Sequence, residues 1–444
     1  MTQPRAESGL VRALGVWGLS ASVINITIGG GIFRAPGAPE VSGRLGAAAP
    51  LSYIICAIAM AFVVLCFAEA GGRIASSGGP YAYVERAFGP TAGFAVGWML
   101  WVTGTIATAA VATIFADSVQ AMIPSLGGAA MRAGLIVLMF AVVTSINVRG
   151  VQFGAGLNLV STVVKLVPLA LLIVLGLFAA KAENLAWPGM PSAPDLTRSS
   201  IVLLFIFAGI ESALVPSGEV SDPARTVPRA VLIALGVVTV VYILIHLAAQ
   251  GVLGSRLPGN NAPLSDLATA VMGPAGGVIV GVAIVLSTFG YLSGMTLAIP
   301  RALFAFARDG VLPAALARVH PVFHTPRIAI ITQTVLAVVL AVSSEWEKLV
   351  VLANISVLIV YFGCALAAWQ LRRTGVHDEG APGAAKIPGS AIAAPMALVV
   401  IIVLLTSVKK EEWLASAATI FVGVLFYAAS PAGWLRRSGA TQRA

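Results

Sequence analysis

Side chains able to do chemistry are sparse in this 444-residue sequence, and most of them lie between its apolar runs. Lys165 is an exception, set in Ser161-Thr162-Val163-Val164-Lys165-Leu166-Val167-Pro168 without a charged neighbour. If lipid surrounds that stretch, the cation costs at least about 2.5–3.5 kcal/mol, which marks it as a functional candidate. Two uses are open: a carrier that sheds and regains a proton, or a fixed charge tethering backbone acceptors. Glu211 is the other ionisable group deep in an apolar run, placed either on a proton path or as an acceptor for nearby freed amides. His246 reads as a packed, hydrogen-bonded histidine rather than a relay, and Asp117, near the end of a run, as a hydrated carboxylate. Cys56, Cys66 and Cys364 lack metal-ligand or redox-motif spacing and read as small packed side chains. The sequence contains no metal-ligand cluster, Walker-type phosphate loop or nucleophile elbow. It gives no ground for expecting an enzyme, an ATP-driven pump, a metal or a cofactor.

Where side chains offer little, interrupted backbone offers more. Gly29-Gly30-Gly31 breaks one apolar run, and Ala208-Gly209, with Pro216 and Gly218 further on, breaks another. Each helix-interior glycine costs about 1 kcal/mol relative to alanine, so three in succession are a strong interruption. Small residues also permit close helix packing, which would explain one such cluster alone. Two breaks at the first position of successive five-helix units are instead the pointer to an inverted-repeat transporter with a mid-membrane site.

The elements that must hold these breaks follow from composition. Hydrophobic residues make up 58% of the chain and charged residues only 10%, against roughly 25% charge in soluble domains. Apolar runs of about 20 residues, each long enough to cross a bilayer, fall at 13–36, 47–70, 91–121, 131–148, 155–180, 199–221, 229–254, 274–304, 327–345, 348–371, 391–408 and 413–434. The expected fold is therefore an all-α polytopic membrane protein of about twelve spans. Breaks in spans 1 and 6 point to an inverted repeat, and a family resemblance carried by the motifs named next implies its five-plus-five form with two further C-terminal helices. Its segments are residues 1–180 (amino-terminal tail and first repeat), 181–371 (second repeat) and 372–444 (last two helices and tail). The net charge of +9 forms no stripe suited to nucleic acid. Of the 27 Lys and Arg residues, 17 fall on the side of the amino terminus, nine on the opposite side, and Lys165 lies within a span. The positive-inside rule then places both termini in the cytoplasm of a cell inner membrane. The first run lacks a clean cleavage site and is expected to remain as a helix.

Several blocks carry a family resemblance. Ile28-Gly29-Gly30-Gly31-Ile32-Phe33 resembles the first-helix signature G-S/T-G-I-F of the amino acid/polyamine/organocation transporters, with Gly30 at its middle position. The resemblance continues through Ser77-Gly78-Gly79-Pro80-Tyr81-Ala82-Tyr83, Ala87-Phe88-Gly89-Pro90, Phe207-Ala208-Gly209-Ile210-Glu211-Ser212 and Gly218-Glu219 to Ala307-Arg308-Asp309-Gly310. It implies secondary active transport of amino acids by alternating access, with the substrate and the bilayer as partners. Its leading form is proton-coupled symport of neutral amino acids; the alternative is an amino acid or amine exchanger.

The resemblance also implies a site. Unsatisfied polar groups at membrane depth cost several kcal/mol, so a zwitterion needs donors for its carboxylate and acceptors for its ammonium. The amides of Gly30 and Gly31, beginning the second half of helix 1, suit the carboxylate, and Gly29 allows the same close approach. Carbonyls near Thr27 and near Phe205 and Ala208 suit the ammonium. The missing hydroxyl at Gly30 removes a side-chain donor that relatives place there. Phe205 aligns with an aromatic gate, while Met295 stands where arginine/agmatine exchangers keep a stacking tryptophan, which favours neutral over guanidinium side chains. Lys165 matches the lysine that replaces sodium in sodium-independent relatives.

Overall fold

A backbone without water must satisfy its own hydrogen bonds, and a helix does so within each segment. The structure, a computed structural model, describes residues 15–74, 79–149, 154–209, 223–323, 325–376 and 389–430; every regular element among them is helical. Among the described residues fourteen α-helices run α1 (Val16–Thr27), α2 (Pro50–Arg73), α3 (Pro80–Phe88), α4 (Pro90–Met122), α5 (Ala129–Arg149), α6 (Gly154–Phe178), α7 (Ala193–Phe207), α8 (Pro223–Leu253), α9 (Pro263–Ala298), α10 (Pro300–Arg308), α11 (Arg327–Ser343), α12 (Trp346–Thr374), α13 (Ser390–Leu405) and α14 (Lys410–Ala429). Seven described helical stretches are long and apolar enough to cross a membrane, and three shorter apolar ones lie in α6, α11 and α13. The two expected spans left over are spans 1 and 6. A helix interrupted at mid-membrane cannot present a full-length rod, and α1 and α7 are 12 and 15 residues long.

Two expectations need correction. The second half of span 1 is not an α-helix: after Thr27 the chain passes through Ile28 and an extended Gly29 (φ −86°, ψ −163°) into short 3₁₀ turns at Gly30–Phe33 and Ala35–Gly37. A four-residue turn aligns few peptide dipoles, so any anion there relies on individual amides. Span 8 starts where expected, after a break at Gly273 (φ 75°, ψ −178°) that separates it from a preceding helical stretch beginning at Pro263, but it ends earlier, at Ala298, and hands over at Pro300 to the separate α10. Pro300 cannot donate into the preceding turn, which explains the handover.

The packing has an internal symmetry. Helices α2 and α8 pack together, as do α4 and α9, and α5 and α11. Contact of α4 with α12 is matched by α9 with α6, α1 with α8 by α7 with α2, and α2 with α12 by α8 with α6. Exchanging α1 with α7, α2 with α8, α4 with α9, α5 with α11 and α6 with α12 preserves these pairs. This exchange relates one set of five described helices to another. Helix α13 packs on α2 and α12, and α14 on α4 and α12, outside this exchange.

Candidate functional site

Both breaks occur where the glycines lie, and they meet. Helix α7 ends at Phe207, with Ala208 extended (ψ 151°) and Gly209 at φ 113°, a backbone region that glycine adopts without steric penalty. Gly31 is pressed onto α7: a Cβ built there would lie 2.9 Å from Ile206 Cγ2 and from Phe205 Cδ1. A Cβ at Gly30 would lie 2.9 Å from Val111 Cγ1 on α4 and 3.3 Å from Thr288 Cγ2 on α9. In this closed arrangement protein side chains occupy the approach to both glycines.

One hydroxyl ties the two breaks. Tyr242 of α8, fully buried, lies with its Oη 2.8 Å from the Thr27 carbonyl of α1 and 2.8 Å from the Ile206 carbonyl of α7. A phenol has a single proton to donate, so two break carbonyls share one donor. The Thr27 carbonyl also accepts from the Gly29 N–H at 2.7 Å. Among the described residues the Thr27 hydroxyl is buried without a partner, an orphaned polar group beside the break.

The sequence candidates Thr27, Gly29, Gly30, Gly31 and Phe205 are thus brought together, with Ala208 closing α7. Met295 lies seven residues beyond Thr288 on the same face of α9, about 10 Å further along it. Lys165 belongs to α6, but its side chain lies outside the described residues, as does all of Glu211. His246 is fully buried with the Tyr53 hydroxyl 3.4 Å from Nδ1, matching the expected packed histidine. Tyr242, Val111 and Thr288 were missed. The one tyrosine of that largely apolar run was the available signal for the first, since a buried phenol needs a partner; the other two carry none.

Beyond the breaks, an aromatic and ionic stack gathers near the end of α4 and the start of α12. The Phe205 ring meets Trp346 edge-on (centroids 6.4 Å, 86°), and the Arg34 guanidinium lies 5.4 Å from the Trp346 ring centre. Arg34 Nη1 donates to Asp117 Oδ2 at 2.5 Å and Nη2 to Glu347 Oε1 at 3.2 Å, while Arg132 Nε donates to Asp117 Oδ1 at 2.7 Å. The Arg34 and Asp117 side chains are only 8% and 11% exposed. The expectation of a hydrated Asp117 is therefore corrected: a carboxylate this enclosed is held by two guanidinium groups, because an unpaired buried charge is costly. Elsewhere, Glu69 is paired with Arg73 (3.1 Å) and Arg372 (3.4 Å). A cavity of about 350 Å³ between α4 and α14 is lined by Phe94, Trp98, Met99 and Tyr427; it includes none of the break residues, and its wall is mostly apolar, with the Thr91 and Tyr427 hydroxyls paired to each other.

The family model for amino acid permeases matches residues 14–437. The serine/threonine exchanger SteT of Bacillus subtilis is 30% identical, over 84% of this chain and 86% of that protein. The branched-chain amino acid permease BcaP of the same organism is 27% identical, over 94% and 93%. The human large neutral amino acids transporter small subunit 2 is 29% identical, over 78% of this chain and 66% of that protein. Paired broken helices in an all-helical polytopic bundle, together with a family match over nearly its whole length, lead to one conclusion: the chain belongs to the amino acid permease family of membrane transporters.

Proposed function

We propose that this permease carries neutral amino acids by alternating access, with the head group bound between the breaks of α1 and α7 and proton symport as the leading mode. The observation that carries this reading is the meeting of Gly30-Gly31 with the end of α7, under a single shared hydroxyl from Tyr242. On substrate entry the carboxylate takes the amides of Gly30 and Gly31 beside the orphaned Thr27 hydroxyl. The ammonium takes carbonyls near Thr27, Phe205 and Ala208. Phe205 acts as the inner lid, its stiff apolar disc excluding water, and the Arg34–Asp117–Glu347 cluster is the outer lock. Met295, further along α9, adds apolar surface without a cation-binding ring.

Coupling in this reading falls to Lys165, as proton carrier or as tether, with Glu211 the next residue to test. The Lys/Arg bias places both termini in the cytoplasm and the lock on the outer side of the cell inner membrane. Exchange is the second reading, favoured by the relative named as a serine/threonine exchanger. Proteoliposomes separate the two. Accumulation of labelled L-serine or L-leucine driven by a pH gradient into vesicles empty of amino acid supports symport. Uptake that requires amino acid inside supports exchange, and uptake under neither condition contradicts both.

A further inference from the structure

The wall beside Gly30 is apolar by construction. Val111 is buried at 1% exposure, and both of its methyl groups stand within 3.3 Å of the position a residue-30 Cβ would take. Thr288, the other neighbour, turns its hydroxyl back onto its own helix, toward the carbonyls of Ile284 (2.8 Å) and Val285 (3.0 Å), and presents its methyl to Gly30. On α4, Thr108 does likewise, bonding the Gly104 carbonyl at 2.6 Å. A β-branched side chain is stiff about χ1, so Val111 cannot swing clear of an added Cβ without shifting α4 against the Gly30–Phe33 turn. Among the described residues the orphaned Thr27 hydroxyl, three residues before Gly30, is a polar side-chain atom left for a ligand at this spot.

We propose that Val111 is a specificity-determining residue that works as a pair with Gly30: its branched side chain fills the volume a residue-30 hydroxyl would need. The substrate carboxylate is thereby left to backbone amides and the Thr27 hydroxyl. This inference rests on the reading of Gly30-Gly31 as the carboxylate site. Its consequence is reciprocal. A serine at position 30 is excluded while Val111 stays, and becomes a usable hydroxyl donor once position 111 is trimmed to alanine.

A double-mutant cycle tests this with the parent, Gly30→Ser, Val111→Ala and the double variant, each purified and reconstituted as the full chain. The probes are whichever of L-leucine and L-serine the parent binds, and the matching carboxamide as competitor. Apparent affinity and thermal midpoint are read in parallel. Gly30→Ser alone loses about tenfold or more in affinity and unfolds at lower temperature. The double variant recovers the thermal midpoint and binds the amino acid up to about tenfold more tightly than the parent, as a new hydrogen bond to a charged group allows, with a smaller gain for the carboxamide. Parent-like affinity and stability in Gly30→Ser overturn the pairing, and so does a double variant that recovers neither. Recovery of stability without recovery of affinity overturns the specificity claim, whereas a recovered affinity that is gained equally by the amino acid and its carboxamide overturns the placement of the carboxylate at residue 30.

Discussion

Replacing Arg34 by Gln should unlock one face of the transporter. Arg34 donates to Asp117 at 2.5 Å and to Glu347 at 3.2 Å, and a hydrogen bond involving charged groups contributes about 1.5–3 kcal/mol when well buried. The Glu347 side chain is 28% exposed, so its bond is discounted for solvent screening, and Asp117 keeps Arg132 as a partner after the change. The net loss from the closed state is then about 2–3 kcal/mol, which moves a two-state closed-to-open ratio by about 30- to 150-fold at 1.4 kcal/mol per tenfold. The assay is modification of a Thr27→Cys reporter by a membrane-impermeant thiol reagent, with Cys56, Cys66 and Cys364, all buried, changed to alanine. The modification rate from the Arg34 face should rise at least tenfold in Arg34→Gln. An unchanged rate in a folded Arg34→Gln protein would refute the assignment of this cluster as the lock.

Tyr242→Phe removes the one donor shared by the two breaks; it should lower stability by about 1–3 kcal/mol, seen as a lower thermal midpoint, and slow amino acid counterflow, whereas parent-like values on both would mean the hydroxyl ties nothing. Lys165→Arg keeps a charge that cannot be discharged at accessible pH, so accumulation driven by a pH gradient should collapse while exchange can persist. Accumulation at the parent rate would show that Lys165 is not the proton carrier. In a thermal-shift screen of the twenty amino acids, neutral side chains should stabilise the protein most, and a maximum for arginine or lysine would overturn the neutral-pocket reading built on Met295.

Local signals made the breaks legible. Three successive glycines and Ala208-Gly209 interrupt helices through their own backbone preferences, so the interruptions appear where those residues stand. The apolar runs likewise located most spans to within a turn or two of helix, because lipid demands a minimum helix length. What joins the breaks was not legible. Tyr242 and Thr27 are 215 positions apart, Arg34 and Asp117 are 83, and Arg34 and Glu347 are 313; no local pattern encodes which distant partner a polar side chain finds. Asp117 looked hydrated because its position near a span end suggested water, while the pairing that encloses it depends on tertiary packing. The short helices α3 and α10 were also passed over, being amphipathic and only nine residues each. Val111 and Thr288 are invisible for a different reason, since an apolar side chain beside a glycine acquires meaning only when the volume between them is known.

The most direct test of the central claim is an experimental structure of the permease with a bound neutral amino acid, determined in lipid nanodiscs. The account predicts ligand density between the breaks of α1 and α7, its carboxylate within hydrogen-bond distance of the Gly30 and Gly31 amides and its ammonium facing carbonyls near Thr27, Phe205 and Ala208. Density for the amino acid anywhere else, such as the cavity between α4 and α14, with the two breaks unchanged and empty, would contradict it.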